Sequence, residues 1–453
     1  MKITKWALSA AIAATCIGSP AFAQAPIQKN SQEHGYYAQQ SAPVISGAAA
    51  RQQYSAVVPA ACACGDSPVS DCDAAFDASA LACDSNGCDG LGGDGDEPWK
   101  LFQKPIGGFT VGGWSEVGYH TANNAGTGIL GNGAPANFNN YASHVQLQQQ
   151  WLYAEKVADG SNGLGFGGRI DYLYGTDAPD TQAFGIPNGH WDNTWDNGFA
   201  YGQAMPQLYA EAALGKLSVK AGHFFTIIGN EVVAATGNFF YSRQFTFYNA
   251  EPFTHTGALT TYKLSDDTSI WNGYVMGWDS GFENNGDAYL GGFSHKLSDK
   301  ASLIYTTAWG RFNDKLIVNG NHVAERGQIN SMIFSYAVSD KLNYINQNDY
   351  LYTQDAGGAS VRNTFGTIHY LLYTVNDKIT LGSRSEWFNY SSQIQNIHNQ
   401  DLLNQTFGVN YRANANLVFR PEVRWVWDKD NVAVNGNGKT SQTCFGTDMV
   451  MTF

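Results

Sequence analysis

Ten ionisable side chains are placed so that they could act together. Glu231, Arg243, Glu251 and His255 fall in one stretch, 229–256, beside Phe239, Phe240, Tyr241, Phe245, Phe247 and Tyr248. Arg169, Arg384, Glu386, Arg420, Glu422 and Arg424 stand in alternating segments elsewhere. Fixed charges of both signs around a water path set ion preference through field and radius. Arg169, Arg384, Arg420 and Arg424 facing Glu231 and Glu251 would give a field across such a path. The plainer alternative is that Glu231, Arg243 and His255 satisfy one another and fix their own loop.

Catalysis finds less support. No Gly-x-Ser-x-Gly elbow or His-Glu-x-x-His stands on a suitable element. Gly438-Lys439-Thr440 suggests a phosphate loop, but Ala433 occupies the position of its first glycine. His144, His295 and His369 each read as strand residues, and Ser143 and Ser294 adjoin two of them. Sequence neighbours on a strand face opposite sides, so those pairs cannot work together. The expectation is no enzyme, no cofactor and no metal. Trp191, Asp192, Trp195 and Asp196 resemble a sugar-stacking patch, but the plainer reading is outer-loop packing or girdle aromatics.

The elements that carry these residues alternate with period two from residue 107 onward. Leu164, Phe166, Ile170, Tyr172 and Tyr174 oppose Arg169 and Asp171. Val145, Leu147, Trp151 and Tyr153 oppose Gln146, Gln148 and Gln150. Ile379, Leu381 and Trp387 oppose Arg384 and Glu386, and Phe407, Val409 and Tyr411 oppose Asn410 and Arg412. Leu417, Phe419, Val423, Trp425 and Trp427 oppose Arg420, Glu422 and Arg424. Charges mid-strand with aromatics at strand ends match an apolar outer band with girdles and a wet interior.

The connections alternate as well. Short turns stand at 158–162, 215–216, 265–267, 298–300, 339–341, 376–378 and 413–415, where Asp, Asn and Ser bond the local backbone. Longer connections fall at 121–140, 175–200, 229–256, 279–287, 313–326, 353–363, 391–403 and 428–441. That implies an all-β, closed antiparallel transmembrane β-barrel of about 16 strands over 101–453, with short periplasmic turns and long outer loops. Phe445, Met449, Met451 and Phe453 alternate to the last residue, and Phe453 suits a barrel-insertion signal.

Composition agrees. Only 14% of residues are charged, against about 25% in soluble domains. The 26 Lys and Arg against 39 Asp and Glu argue against nucleic-acid binding. Mean hydropathy is −0.29, as expected if each strand is apolar on one face only. Lys2 and Lys5, an apolar core from Trp6 to Ile17, and Ala21-Phe22-Ala23 read as a cleavable signal peptide over 1–23. Residues 24–100 read as a disordered leader, rich in Asp and cysteine from residue 62. Cys62, Cys64, Cys72, Cys83 and Cys88 are disulfide candidates in an exported chain. Asp84 to Asp89 lacks the glycine and the final glutamate of a calcium loop, and Cys62-Ala63-Cys64 lacks zinc-knuckle spacing.

Residues 217–280 resemble the putative beta-barrel porin family, second group, described as outer-membrane-porin-like. Lys220-Ala221-Gly222-His223-Phe224, Ile228-Gly229-Asn230-Glu231, Phe239-Phe240-Tyr241-Ser242, Pro252-Phe253-Thr254-His255-Thr256-Gly257 and Gly277-Trp278-Asp279 carry the resemblance. Phe419-Arg420-Pro421-Glu422-Val423-Arg424 is similar too. The resemblance implies an outer-membrane barrel that passes solutes. The expected function is passive diffusion of small hydrophilic solutes or ions through a water-filled barrel, narrowed by loop 229–256. The alternative is an exported cell-surface binding or structural β-protein. Expected partners are outer-membrane lipid, the barrel-assembly machinery and, as in porins, two further copies in a homotrimer.

Overall fold

The computed structural model describes residues 98–121, 138–139, 141–183, 191–192, 195–197, 200–281, 286–318, 321–428 and 440–453. The expected signal peptide, the leader up to 97 with its five disulfide candidates, and 433–439 lie outside the described residues.

Sixteen antiparallel strands form one sheet. They are β1 Thr110–His120, β2 Gln146–Lys156, β3 Gly165–Gly175, β4 Gly202–Ala204 with Leu208–Leu214, β5 Leu217–Phe225, β6 Thr254–Lys263, β7 Thr268–Val275 and β8 Asp287–Ser298. There follow β9 Ala301–Val318, β10 Asn321–Ser339, β11 Leu342–Gln354, β12 Ser360–Asn376, β13 Ile379–Ser392 and β14 Ile397–Asn414. The last two are β15, Leu417–Phe419 with Glu422–Asp428, and β16 Ser441–Thr452. The breaks in β4 and β15 fall beside Pro206 and Pro421, which cannot donate to a ladder. Both halves of each broken strand keep the same preceding neighbour.

The sheet closes where β1 meets β16, from Trp114 opposite Thr452 to His120 opposite Gly446. The final residue joins the ladder. Phe453 N donates to Gly113 O at 2.9 Å, and Gly113 N donates to Phe453 O at 2.9 Å. No helix among the described residues is long and apolar enough to cross a membrane. The two short α-helices among the described residues are α1, Ala178–Thr181, and α2, Phe245–Ala250.

The two faces of the wall follow the alternation. Phe166 and Phe407 are about 60% exposed on the outside, at 62% and 60%, while the neighbouring Asp171, Arg384 and Thr406 are buried inside. The reading of β2 needs correction. Between Glu116 and Val117 the register slips so that Gln148 is an extra residue, a β-bulge. Beyond it the faces exchange. Gln149 and Trp151 point inward, and Trp151 stacks on Trp114 with ring centroids 4.6 Å apart.

All seven short turns stand where the sequence places them. Three of the long connections are shorter than expected. Strands run on to Val318 and restart at Asn321, and the next two hairpins close over 355–359 and 393–396. Polar residues there read as loop, but a ladder that projects past an apolar band can be polar on both faces. His144 lies just before β2 rather than within it.

The inner face is not polar all round. Trp271, Leu290, Ile304, Ala308, Ile329, Ile333 and Ile345 on β7–β11 are buried in one apolar cluster. Ile227, Ile228, Phe240 and Phe245 from the β5–β6 connection belong to it. These wall residues meet the connection instead of water, so they are apolar on the inner face too. The closed ladder predicts heat-modifiable migration: unheated protein in SDS should run ahead of boiled protein on a gel. Equal mobility of the two samples would refute closure.

Candidate functional site

The connection from β5 to β6, residues 226–253, lies inside the barrel, and the wall grips it strand by strand. Its polar backbone must find partners there because an unpaired buried group costs about 1–3 kcal/mol. Side chains from the wall supply them.

Arg384 of β13 is the central anchor. It pairs with Glu231 of the connection, and its guanidinium also donates to Ser242 O at 2.8 Å and Ser242 Oγ at 3.0 Å. Tyr370 adds a hydroxyl donor to Glu231 at 3.0 Å. One rung away, Glu386 accepts from the backbone of Phe245 at 2.8 Å and of Thr246 at 2.7 Å. These are the first amides of α2, which have no partner within the helix. Glu422 of β15 does the same for the amides of Tyr241, at 3.0 Å, and Ser242, at 3.2 Å.

Arg420 reaches four ways. It pairs with Asp448 and Glu116, the latter at 3.2 Å, and donates to Ala235 O at 2.6 Å and Asn238 O at 2.7 Å. Arg424 donates to Asn404 and lies 4.8 Å over the Phe245 ring. Arg243 turns back to Tyr241 O and Val233 O and covers Phe138 and Phe247. Glu251 accepts from Gln347 of β11 at 2.6 Å. His255 bridges Gly277 O and Thr226 Oγ1.

The structure therefore brings together every charged candidate except Arg169, which pairs with Glu155 and Asp171 on β2 and β3. Glu231, Arg243 and His255 do not bond one another. Nor does Arg384 stand across an opening from Glu231, since it touches it. Glu231, Arg384, Glu386, Arg420, Glu422 and Arg424 are all 5% exposed or less. Charges this dry need both partners. Removing one side of a buried pair costs about 3–5 kcal/mol because the other charge stays behind.

Several gripping residues escaped the sequence reading. Gln149 takes the Ala235 amide and donates to Val233 O. Gln347 serves Asn230, Gln244 and Glu251. Their signal was polarity at inward positions, and in β2 the bulge hid it. Inward glycines were a second signal. A Cβ on Gly382 would come within 2.1 Å of the Phe239 ring, and one on Gly366 within 2.1 Å of Thr246 Oγ1. Glycine at these positions lets the connection lie directly on the wall.

The second long connection is built differently. Asp192 is fully buried and accepts from the amides of Ala183 at 2.8 Å and Met205 at 2.7 Å. It ties the connection together and is spent on backbone. Burial pushes its carboxyl up to about 7, against those two bonds, which pull it down. Asp196 accepts from Gln182, and the Trp191 ring packs 5.3 Å from His223, so only Trp195 of that set remains notably exposed.

Two measurements follow from this geometry. Arg384→Ala should lower stability in denaturant titration by about 3–5 kcal/mol, and Arg384→Ala combined with Glu231→Gln should recover part of it. For Asp192, the folded pKa lies above the unfolded value of about 3.9. The stability it lends is full below about pH 4 and is lost as pH rises through about 7. Amide exchange at 183 and 205, corrected for intrinsic rate, should speed up from pH 5 to pH 8, and Asp192→Asn should abolish that dependence.

Comparison with known proteins fits this architecture. The family model described as "Putative beta-barrel porin-2, OmpL-like" matches residues 108–453, and the chain belongs to that family. No curated protein matches the chain. Among solved structures, the in-vitro folded, trimer form of the outer membrane protein OmpT of Vibrio cholerae is similar with a TM-score of 0.53 and 11% identity. That match covers 76% of this chain and 99% of the other. OmpT of Vibrio cholerae expressed in the outer membrane is similar with a TM-score of 0.50 and 11% identity, covering 76% and 98%. At such identity the likeness is one of fold.

Proposed function

We propose that this member of the porin-2 family is an outer-membrane porin passing small hydrophilic solutes or ions by diffusion, and not an enzyme. The observation that carries the reading is a long connection held inside a closed barrel by charged side chains of the wall. A path beside that connection has a width set by where the connection sits. Glu231, Arg243, Glu251, His255, Arg384, Glu386, Arg420, Glu422 and Arg424 are then constriction residues because they fix its position. Arg169, beside Glu155, is proposed to line the path elsewhere. The apolar arc on β7–β10 suits the packed side of such a barrel.

Export by a cleavable signal peptide, insertion guided by Phe453, and assembly as a homotrimer complete the proposal. One structural neighbour is described as a trimer. Dense packing around the connection favours the other reading in one respect, because a wall-to-wall core suits a binding or structural β-protein that does not conduct.

Planar-bilayer recording separates the two. A porin gives stepwise conductance in salt, whereas folded, heat-modifiable protein that gives no steps would sink the porin reading. Glu422→Gln weakens the hold on the Tyr241 and Ser242 amides, so its steps should be larger or flicker more than those of the parent. Identical steps would remove Glu422 from the constriction.

A further inference from the structure

A segment outside the ladder, residues 98–109, lies at the short-turn end of the barrel just before β1. It holds Lys100 and Lys104 and no Asp or Glu. It is fastened at both ends. Trp99 N donates to Asn416 Oδ1 at 2.6 Å, and Asn416 Nδ2 donates to Trp99 O at 2.8 Å. The same Nδ2 donates to Thr452 O at 2.8 Å, and the Trp99 ring lies 6.0 Å from that of Phe453. At its far end the segment runs into β1 at Thr110. It is therefore a strap along the rim from the start of β15 to the start of β1.

The strap carries a rigid apolar tip. Ile106 and Phe109 exchange both backbone hydrogen bonds, at 2.8 and 3.0 Å, around Gly107 and Gly108. Both glycines have positive φ, +60° and +87°, as a tight two-residue turn requires. Side chains directly opposite in such a pair share one face, so Ile106 and Phe109 stand together. They are 53% and 40% exposed, and Leu101 and Phe102 are exposed as well. Apolar groups fixed in this way forgo the burial that would stabilise them in contact with hydrocarbon.

Cations flank the tip. Lys104 stands two residues before it. The stem of Lys156 passes beside it, since a Cβ on Gly108 would lie 3.8 Å from Lys156 Cδ and Cε. The outer wall of the adjoining strands is apolar at this end, where Leu152, Phe419 and Met451 are exposed. The strap thus continues the apolar band of the wall and adds lysines at its edge.

We infer that the strap 98–109 is an interfacial anchor that docks on anionic phospholipid in the leaflet at the short-turn end. Leu101, Phe102, Ile106 and Phe109 enter the boundary of the acyl chains. Lys100, Lys104 and Lys156 keep their stems on apolar surface and reach headgroup phosphates with their ammonium groups. Lysines beside apolar side chains, with no carboxylate in the strap to oppose them, complement an anionic leaflet. Asn416 keeps the anchor in register with the barrel, because one side chain holds both the strap and β16. The inference rests on the membrane placement of the barrel. It does not depend on conductance, so a non-conducting barrel leaves it standing.

Photo-crosslinking tests it, with the full-length protein in vesicles of equal phosphatidylglycerol and phosphatidylcholine. A benzophenone amino acid in place of Ile106 should attach lipid, as it should in place of Phe407 on the outer wall. In place of Gly357, in the turn at the opposite end, it should attach none. Lipid at 407 but none at 106, or adducts from 106 to the chain's own leader instead of lipid, would overturn the inference and leave the membrane reading standing. No lipid at 407 would overturn both. Lipid at 357 as readily as at 106 would show contact without docking and reject the anchor. With the probe at 106, Lys100→Gln combined with Lys104→Gln should lower the ratio of phosphatidylglycerol to phosphatidylcholine adducts about fivefold. An unchanged ratio in this variant, with heat-modifiable migration intact, would reject anionic lipid as the partner. Should the double variant fail to fold, the crosslinking pattern decides alone.

Discussion

Every backbone N–H and C=O in an extended chain needs a partner, and ring closure between β1 and β16 supplies the last of them. Without that seam Trp114 to His120 and Gly446 to Phe453 would be open sheet edges. With it, the wall is satisfied all round. Its side chains are then sorted only by what lies on each side. The outside can be apolar with aromatics because nothing there needs a hydrogen bond. The inside inherits the charges. Even the two prolines obey this, each breaking one strand without opening the ring.

The same need for partners governs the interior. A connection of irregular backbone cannot sit inside a dry barrel unless the wall answers its polar groups. Arg384 and Glu386 do so from β13, Arg420 and Glu422 from β15, and Gln149 and Gln347 from two other strands. Glycines such as Gly366 and Gly382 bring the backbone close enough for those bonds to form. The apolar half of the inner wall completes the grip with Ile304, Ile333 and their neighbours. Position of the connection and identity of the charged residues are therefore one feature. That is why the proposed constriction is described by what the charges hold rather than by what they expose.

The sequence alone determined the strand count, the seven tight turns and which face most residues take, because a period of two and local turn chemistry act over a few residues. Arg384, Glu386, Arg420, Glu422 and Arg424 were legible as inward for that reason. The stretch 229–256 was legible as special through its density of charge and aromatics. Tertiary structure decided the rest. Whether an inward isoleucine meets water or another segment depends on a chain section more than forty positions away, as with Ile304 and Ile228. Pairing of Arg384 with Glu231 spans 153 positions, and no local pattern encodes it. One extra residue at Gln148 turned Trp151 inward, since a bulge depends on the partner strand. Face and period are local properties. Partner and depth depend on the whole closed ring.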